Sequence, residues 1–363
     1  MSGSILKKDA SVLIVKPSSM GDIIHAFPVA AAIKKTRPDV TVDWIAADGF
    51  TELVRLSPHV DHVIPFLRKQ WGGAWWKPST IRSVAGFLFD GVGGRRYDAV
   101  LDLHALFRSG LITAFAKAPV KIGFSDAREL APVFYNTKIT PPPGAHSVDK
   151  LMSALGGLDI AVGGPPSFDI TIPGEARSWA AKITPESPFV AINPNARWAT
   201  KRWPVANFAV LSKEIYRRSG ALTVIIGGPE DMERGEELAR LIGPPATNLT
   251  GAGGFARLAA VLERALLTIT NDSGPMHLSA AVGTPVIALF GPTDPALVGP
   301  YGKGHTTLRA KVDCSPCREK TNCSRAIECM TKITVEEALG AWESASKNRE
   351  NSAKKWTPRF SGR

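Results

Sequence analysis

Cysteine is scarce in this chain. Four occur in 363 residues, all between 314 and 329, so whatever thiol chemistry the protein has is confined to that window. Long apolar runs are missing too. None approaches the roughly 18 residues that a membrane-spanning helix needs. The opening MSGSILKKDA has no apolar stretch of the kind that drives secretion, and a cytoplasmic protein without an anchor is the expectation. Two nucleotide-binding signatures are absent. No GxGxxG follows the first apolar run, which disfavours a dinucleotide dehydrogenase, and no GxxxxGK[ST] occurs, which disfavours a P-loop enzyme. There is no short-period repeat, and no low-complexity segment before Lys347.

What is present suits a soluble α/β protein of two domains. The length is comfortable for two cores, and the hydrophobic fraction of 44% is ordinary. The net charge of +11 is high. Part of it comes from the end of the chain, where Lys347 to Arg363 hold six basic residues against Glu350. Residues 346–363 are therefore expected to be a basic, disordered tail. A second basic stretch, Arg68 to Arg96, reads either as a solvated surface or as a site for an anionic acceptor or membrane face.

β-rich apolar runs alternate with helical patterns along the whole chain. In the first half they fall at Ser11–Lys16, Thr41–Ala46, Tyr97–Leu103 and Val120–Phe124. In the second half they fall at Phe189–Asn193, Leu222–Gly227, Leu266–Thr270 and Val286–Phe290. Such runs predict parallel sheets covered on both faces. Eight strands could close one barrel, but Pro- and Gly-rich segments at Pro141–Gly144 and Gly156–Pro173 interrupt the series. Two doubly wound domains, 1–170 and 171–345, fit better.

Doubly wound sheets bind ligands at the carboxyl ends of their strands. KPSSMGDIIHAFP, residues 16–28, lies at such an end and carries one acid, Asp22. Asp22 reads as a simple helix-start acid or as a base facing a ligand. Gly21 permits close backbone approach, and Pro28 predicts a short first turn and a kink or restart. The second half has three comparable tips. Asn271-Asp272-Ser273-Gly274 leads into a helix opened by Pro275, with the Ser273 and Gly274 amides suited to a phosphate. His277 follows one turn later, either structural or a ligand contact. Lys201 and Arg202 sit in the loop after Asn193, and cations beside amide-rich turns suit a diphosphate. Gly227-Gly228-Pro229-Glu230 ends another strand, and Glu230 reads equally as a helix-start acid or as a partner of ribose hydroxyls.

VLIVKPSSMGDIIHAFPVAAAIKK, KRWP and NDSGPMHLSAAVGTPVIALFGPTDP, in this order, resemble glycosyltransferase family 9, the ADP-heptose:lipopolysaccharide heptosyltransferases. The resemblance runs from about Val12 to Ala341 and is closest to the type I enzymes. It implies a GT-B fold, with two Rossmann-like domains facing a central cleft, acceptor on the first and nucleotide sugar on the second. It implies inverting transfer of heptose from ADP-heptose to Kdo on lipid A at the inner membrane surface, with no catalytic metal and no nucleic-acid partner. Asp22 then matches the general base. Lys201 matches the cation at the leaving diphosphate. Ser19, Gly21, Glu230, Asp272, Ser273, Gly274 and His277 complete the donor set. Arg68, Lys69, Arg128 and Lys150 match acceptor contacts less closely, with Lys150 standing where an arginine is typical. Trp71, Trp75 and Trp76 beside Arg68 read as a membrane-facing cluster or as domain core.

Cys314, Cys317, Cys323 and Cys329 open with CxxC and have the right count for a structural Zn or Fe site. Free thiols and disulfides stay open as alternatives. Two other functions stay open as well. One is a relative of the same fold using another sugar or a protein acceptor. The other is a non-catalytic nucleotide-sugar module, which would not need Asp22.

Overall fold

The computed structural model describes residues 5–67, 70–71, 77–319 and 321–353. The chain divides into two units, Met1–Pro173 and Gly174–Arg363, three residues beyond the boundary expected from the linker composition. Each unit is built on a six-stranded parallel sheet. In the first the strands are β1 (Ser11–Val15), β2 (Thr41–Ala47), β3 (His62–Phe66), β4 (Ala99–Asp102), β5 (Val120–Phe124) and β6 (Thr137–Ile139), in the order β3-β2-β1-β4-β5-β6. In the second they are β7 (Phe189–Asn193), β8 (Leu222–Ile225), β9 (Ala246–Asn248), β10 (Thr268–Asn271), β11 (Val286–Phe290) and β12 (Thr306–Arg309), in the order β12-β11-β10-β7-β8-β9. Counted within each unit, both orders are 3-2-1-4-5-6, the doubly wound Rossmann arrangement.

The central strands form because their residues are apolar on both faces and β-branched. Val12 to Val15 are wholly buried, and so is the run Val190 to Ile192. Register is set between such runs. Val12 lies opposite Val42 on one side and Ala99 on the other, and Ile192 lies opposite Ile269. All eight expected strands exist. The four that the sequence pattern did not reveal, β3, β6, β9 and β12, are the four sheet edges. An edge strand is covered less and needs no continuous apolar run; β3 even contains Pro65, which only an edge accommodates easily.

Helices cover both sheets. Met20–Thr36 is continuous through Pro28, so the expected restart does not occur. Proline there forfeits one intrahelical bond, but Ile23, Ile24, Phe27, Val29 and Ala30 are all buried, and packing of that kind outweighs local propensity. In the second unit Val205–Ser219 ends at Gly220, whose φ of 72° places its amide 2.8 Å from the Tyr216 carbonyl. The final helix, Val335–Ala353, runs into the segment expected to be disordered; residues 354–363 lie outside the described residues. Trp71 is core rather than membrane-facing. It is 9% exposed, lies edge-on to Phe66 and Phe87, and donates its indole N–H to Ser83 Oγ at 3.0 Å. Trp75, Trp76, Arg68 and Lys69 lie outside the described residues.

Candidate active site

The first unit's strand order reverses between β1 and β4, and the chain leaving β1 carries Asp22. Its carboxylate is fixed from two sides. The Ser19 amide and hydroxyl both donate to Oδ2, at 3.1 and 2.6 Å, closing a capping box at the start of helix Met20–Thr36. On the other side Lys16 Nζ lies 3.7 Å from Oδ1. Lys16 is itself buried and donates to the Leu103 carbonyl, just past β4, at 2.7 Å. Partial burial works to raise the Asp22 pKa, but Lys16, the two Ser19 hydrogen bonds and His25 outweigh it and hold the carboxyl well below the usual range. The side chain remains 51% exposed. The result is an anchored, ionised and open carboxylate.

A second acid at this switch point behaves oppositely. Asp102, at the end of β4, is fully buried. Its oxygens accept the His104 and Ala105 amides at 2.9 and 3.0 Å and the Tyr135 hydroxyl at 2.7 Å. Burial pushes its pKa up against those hydrogen bonds. Asp102 holds the β4 tip; Asp22 faces solvent.

Residues expected on the acceptor side are partly committed to structure. Lys150 Nζ pairs with Asp126 at 2.6 Å and lies 5.2 Å from the centre of the Phe124 ring. It sits on helix Ser147–Met152, capped by His146, whose ring meets that of His25 edge-on at 5.3 Å. Arg128 is exposed, and its amide donates to the Ala105 carbonyl at 3.1 Å. Its loop therefore adjoins the β4 tip.

In the second unit, β8, β7, β10 and β11 are consecutive neighbours, and the loops leaving them carry Glu230, Lys201, Asp272 and Thr293. The switch point lies between β7 and β10, flanked by Lys201 and Asp272. These two pair at 2.5 Å, with side chains 14% and 6% exposed. Lys201 Nζ also lies 4.3 Å from the centre of the Trp198 ring. Thr293 donates its hydroxyl to the same Asp272 oxygen. An ammonium has three donors, and Asp272 accepts one of them, so the pair aims a cation without neutralising all its hydrogen bonds. Ser273 stands at the N-cap position of the helix Gly274–Ala281. Its hydroxyl accepts from Asn193 Nδ2 at 2.8 Å, and Asn271 accepts the Trp203 amide at 3.0 Å while donating to the Pro194 carbonyl at 2.8 Å. These buried amides lock the two loops together. His277 is buried to 8% within that helix. Glu230 is exposed and folds over Gly228, where any Cβ would meet its carboxylate at 2.7 Å. Ser19 and Gly21, expected with the donor set, lie beside Asp22 in the first unit.

Three contributors were not foreseen in the sequence: Lys16, Thr293 and Asn193. Lys16 carried a signal, since a lysine closing a buried strand needs a partner. The four cysteines are free thiols, Cys329 buried, Cys314 and Cys323 half-buried, Cys317 exposed. Among the described residues no three His, Cys, Asp or Glu side chains are grouped so that they could hold a metal ion. Burial and the neighbouring Cys323, Cys317 and Cys314 thiols push the Cys329 thiol up to about 11.

Two Rossmann-like units, one presenting a carboxylate at its switch point and the other an aimed cation, belong to a glycosyltransferase: the chain is a member of glycosyltransferase family 9 (heptosyltransferase), whose pattern matches residues 87–327. It is 31% identical over 317 residues to lipopolysaccharide heptosyltransferase 1 of Pseudomonas aeruginosa, covering 85% of this chain and 86% of that protein. Among solved structures it is similar to E. coli heptosyltransferase WaaC with ADP, with a TM-score of 0.76 and 26% identity over 92% of this chain and 99% of that one. WaaC with ADP-2-deoxy-2-fluoro heptose matches with a TM-score of 0.75 and 26% identity, again over 92% and 99%.

The environment of Asp22 has a direct consequence. Because its folded-state pKa lies below the unfolded value, the ionised carboxylate favours the fold at neutral pH, and that contribution declines once pH falls below the unfolded value and is gone below the depressed one. Carboxyl-carbon NMR of labelled protein should show Asp22 still charged well below the ordinary aspartate midpoint of about 3.9. Lys16→Met should move its titration up toward that midpoint. A wild-type midpoint at or above about 4 contradicts the assignment.

Proposed function

We propose that this chain is an inverting glycosyltransferase that moves heptose from ADP-heptose to an acidic Kdo sugar of a lipid A-linked acceptor. The observation that carries the reading is Asp22: ionised, half open and anchored at the tip of β1. A structural helix cap has no need of that exposure or of a buried lysine behind it. The names of the relatives supply the sugar and the nucleotide.

In this reading the acceptor hydroxyl attacks the anomeric carbon as the bond to the ADP oxygen breaks on the opposite face, which inverts the configuration. The hydroxyl proton passes to an Asp22 oxygen. A carboxylate with a depressed pKa is a weak base. Transfer is therefore late, after the sugar–phosphate bond has lengthened and the attacking hydroxyl has become acidic. The bonding electrons leave with the diphosphate. Lys201 and the amides of Ser273 and Gly274 take up that charge, fixed in advance by Asp272, Thr293 and the buried asparagines. Glu230 receives the ribose hydroxyls. Arg128 and Lys150 meet the carboxylate and phosphates of the acceptor, Lys150 by exchanging Asp126 for the ligand. Arg68 and Lys69 are proposed for the same role by resemblance.

A lipid-linked acceptor is met at a bilayer, and a peripheral position on the inner membrane follows from the reading. One face of the first unit suits it. Phe107, Leu130 and Val133 are 46%, 73% and 69% exposed, with Arg108 and Arg128 exposed beside them. Phe107 lies edge-on to Phe134 at 5.5 Å. Glu129 and Leu130 have left-handed φ values of 58° and 61°, an uncommon conformation for leucine that presents it at the loop tip. Apolar side chains ringed by arginine match an anionic leaflet.

Asp22→Asn should lower kcat roughly 10² to 10⁴-fold with ADP affinity nearly unchanged; near-wild-type turnover would remove Asp22 as the base. Lys201→Ala should weaken ADP binding about 10- to 100-fold, the worth of a charge-assisted hydrogen bond of roughly 1.5–3 kcal/mol. Calorimetry giving equal affinities would take Lys201 out of the pocket. Wild-type protein should sediment with phosphatidylglycerol vesicles at low salt and be released at high salt, with the double variant Leu130→Ser, Val133→Ser bound several-fold less. Protein that stays in the supernatant at low salt contradicts membrane docking.

A further inference from the structure

The cysteine-bearing segment takes no part in the reaction as written, yet it is bonded to both loops that frame Lys201 and Asp272. Thr200, the neighbour of Lys201, donates its hydroxyl to the Glu319 carbonyl at 2.7 Å. The Arg318 amide donates to the Pro292 carbonyl at 2.8 Å. Pro292 immediately precedes Thr293, the residue whose hydroxyl rests on Asp272. Ser315 adds a third tie, donating to the Gly291 carbonyl at 2.6 Å. Below this strap Cys329 is buried so close to Gly291 that a Cβ there would come within 3.0 Å of its sulfur. Cys323 Sγ accepts the Ile327 amide at 3.3 Å. The strap thus reaches from the loop after β7 to the loop after β11, two strands apart in the sheet, and Cys317 stands exposed in its middle.

We infer that residues 312–319 are a positioning strap of the donor pocket: they set the Thr200–Lys201 turn and the Gly291–Thr293 turn relative to each other, and an adduct on Cys317 that pulls the strap away weakens nucleoside-diphosphate binding. The inference rests on the donor-pocket reading above. Its logic is that of coupled binding. A nucleotide that needs both turns in place is favoured by whatever holds them, and by linkage it holds the strap in return. Thr200, Ser315 and Arg318 act through Lys201 and Thr293 rather than by touching the nucleotide.

The test uses the whole chain and ADP as the probe. In wild-type protein, saturating ADP should slow hydrogen exchange at the Ser315 and Arg318 amides at least several-fold. Thr200→Val should weaken ADP binding about five- to tenfold in calorimetry, while Thr200→Ser, which keeps the hydroxyl, restores it; a residue with a merely structural part would show a lowered unfolding midpoint with ADP affinity intact. N-ethylmaleimide should weaken ADP binding several-fold in wild type and much less in Cys317→Ser. If ADP binds but strap exchange is unmoved and Thr200→Val binds as tightly as wild type, the strap is not coupled and the pocket reading survives. If wild-type protein binds no ADP, both fall.

Discussion

A parallel sheet puts the carboxyl end of every strand on one edge, and the placement of the candidate site residues depends on that constraint. It gathers Glu230, Lys201, Asp272 and Thr293 from positions up to 92 residues apart, because the strands before them, β8, β7, β10 and β11, are neighbours. The same constraint puts Asp22, after β1, beside the β4 tip. The reversal of strand order opens a crevice between two tips, and in each unit the charged residue stands at that reversal. Edge strands and covering helices serve to keep the central strands, and hence those tips, in register.

The two switch points handle charge in opposite ways. In the first unit a buried lysine stabilises a carboxylate that stays half open, so the free charge is negative. In the second a nearly buried carboxylate stabilises a lysine, and the free donors are positive. Each pair has one member anchored by further hydrogen bonds: Lys16 to the Leu103 carbonyl, Asp272 to Thr293. In the proposed mechanism the anchored partner lowers the reorganisation that Asp22 or Lys201 would otherwise undergo when charge develops. Removing one member of such a pair leaves the other charge poorly compensated, which is why conservative variants read these sites more cleanly than truncations do.

Much of this was legible in the sequence, and the exceptions have physical causes. The eight inner strands declared themselves because they are mostly buried and rich in apolar and β-branched residues. The four edge strands did not, since half-covered strands such as Thr137–Ile139 tolerate any composition. The tip motifs were legible because glycine, proline and asparagine cluster where strands end. What stayed hidden was pairing over long separations. Nothing local to Lys16 names Leu103 as its partner, and nothing near Thr200 names Glu319. Lys150 read as an acceptor contact, and Asp126 pairs with it in this structure. Trp71 sat among tryptophans and basic residues that suggested an interface, and only the packing of Phe66 and Phe87 around it shows a core position. The CxxC spacing drew attention to a metal shell and gave no sign that the same segment ties two loops together.

The transfer reaction itself is the most direct test of the proposed function. Purified protein incubated with ADP-heptose and Kdo-lipid A, in parallel with other ADP- and UDP-sugars, should yield a product heavier by one heptose with the anomeric configuration inverted relative to the donor. That product should form with ADP-heptose in clear preference to the other sugars and be lost in Asp22→Asn. Transfer from a UDP-sugar instead, retention of configuration, or undiminished product from the Asp22 variant would contradict it.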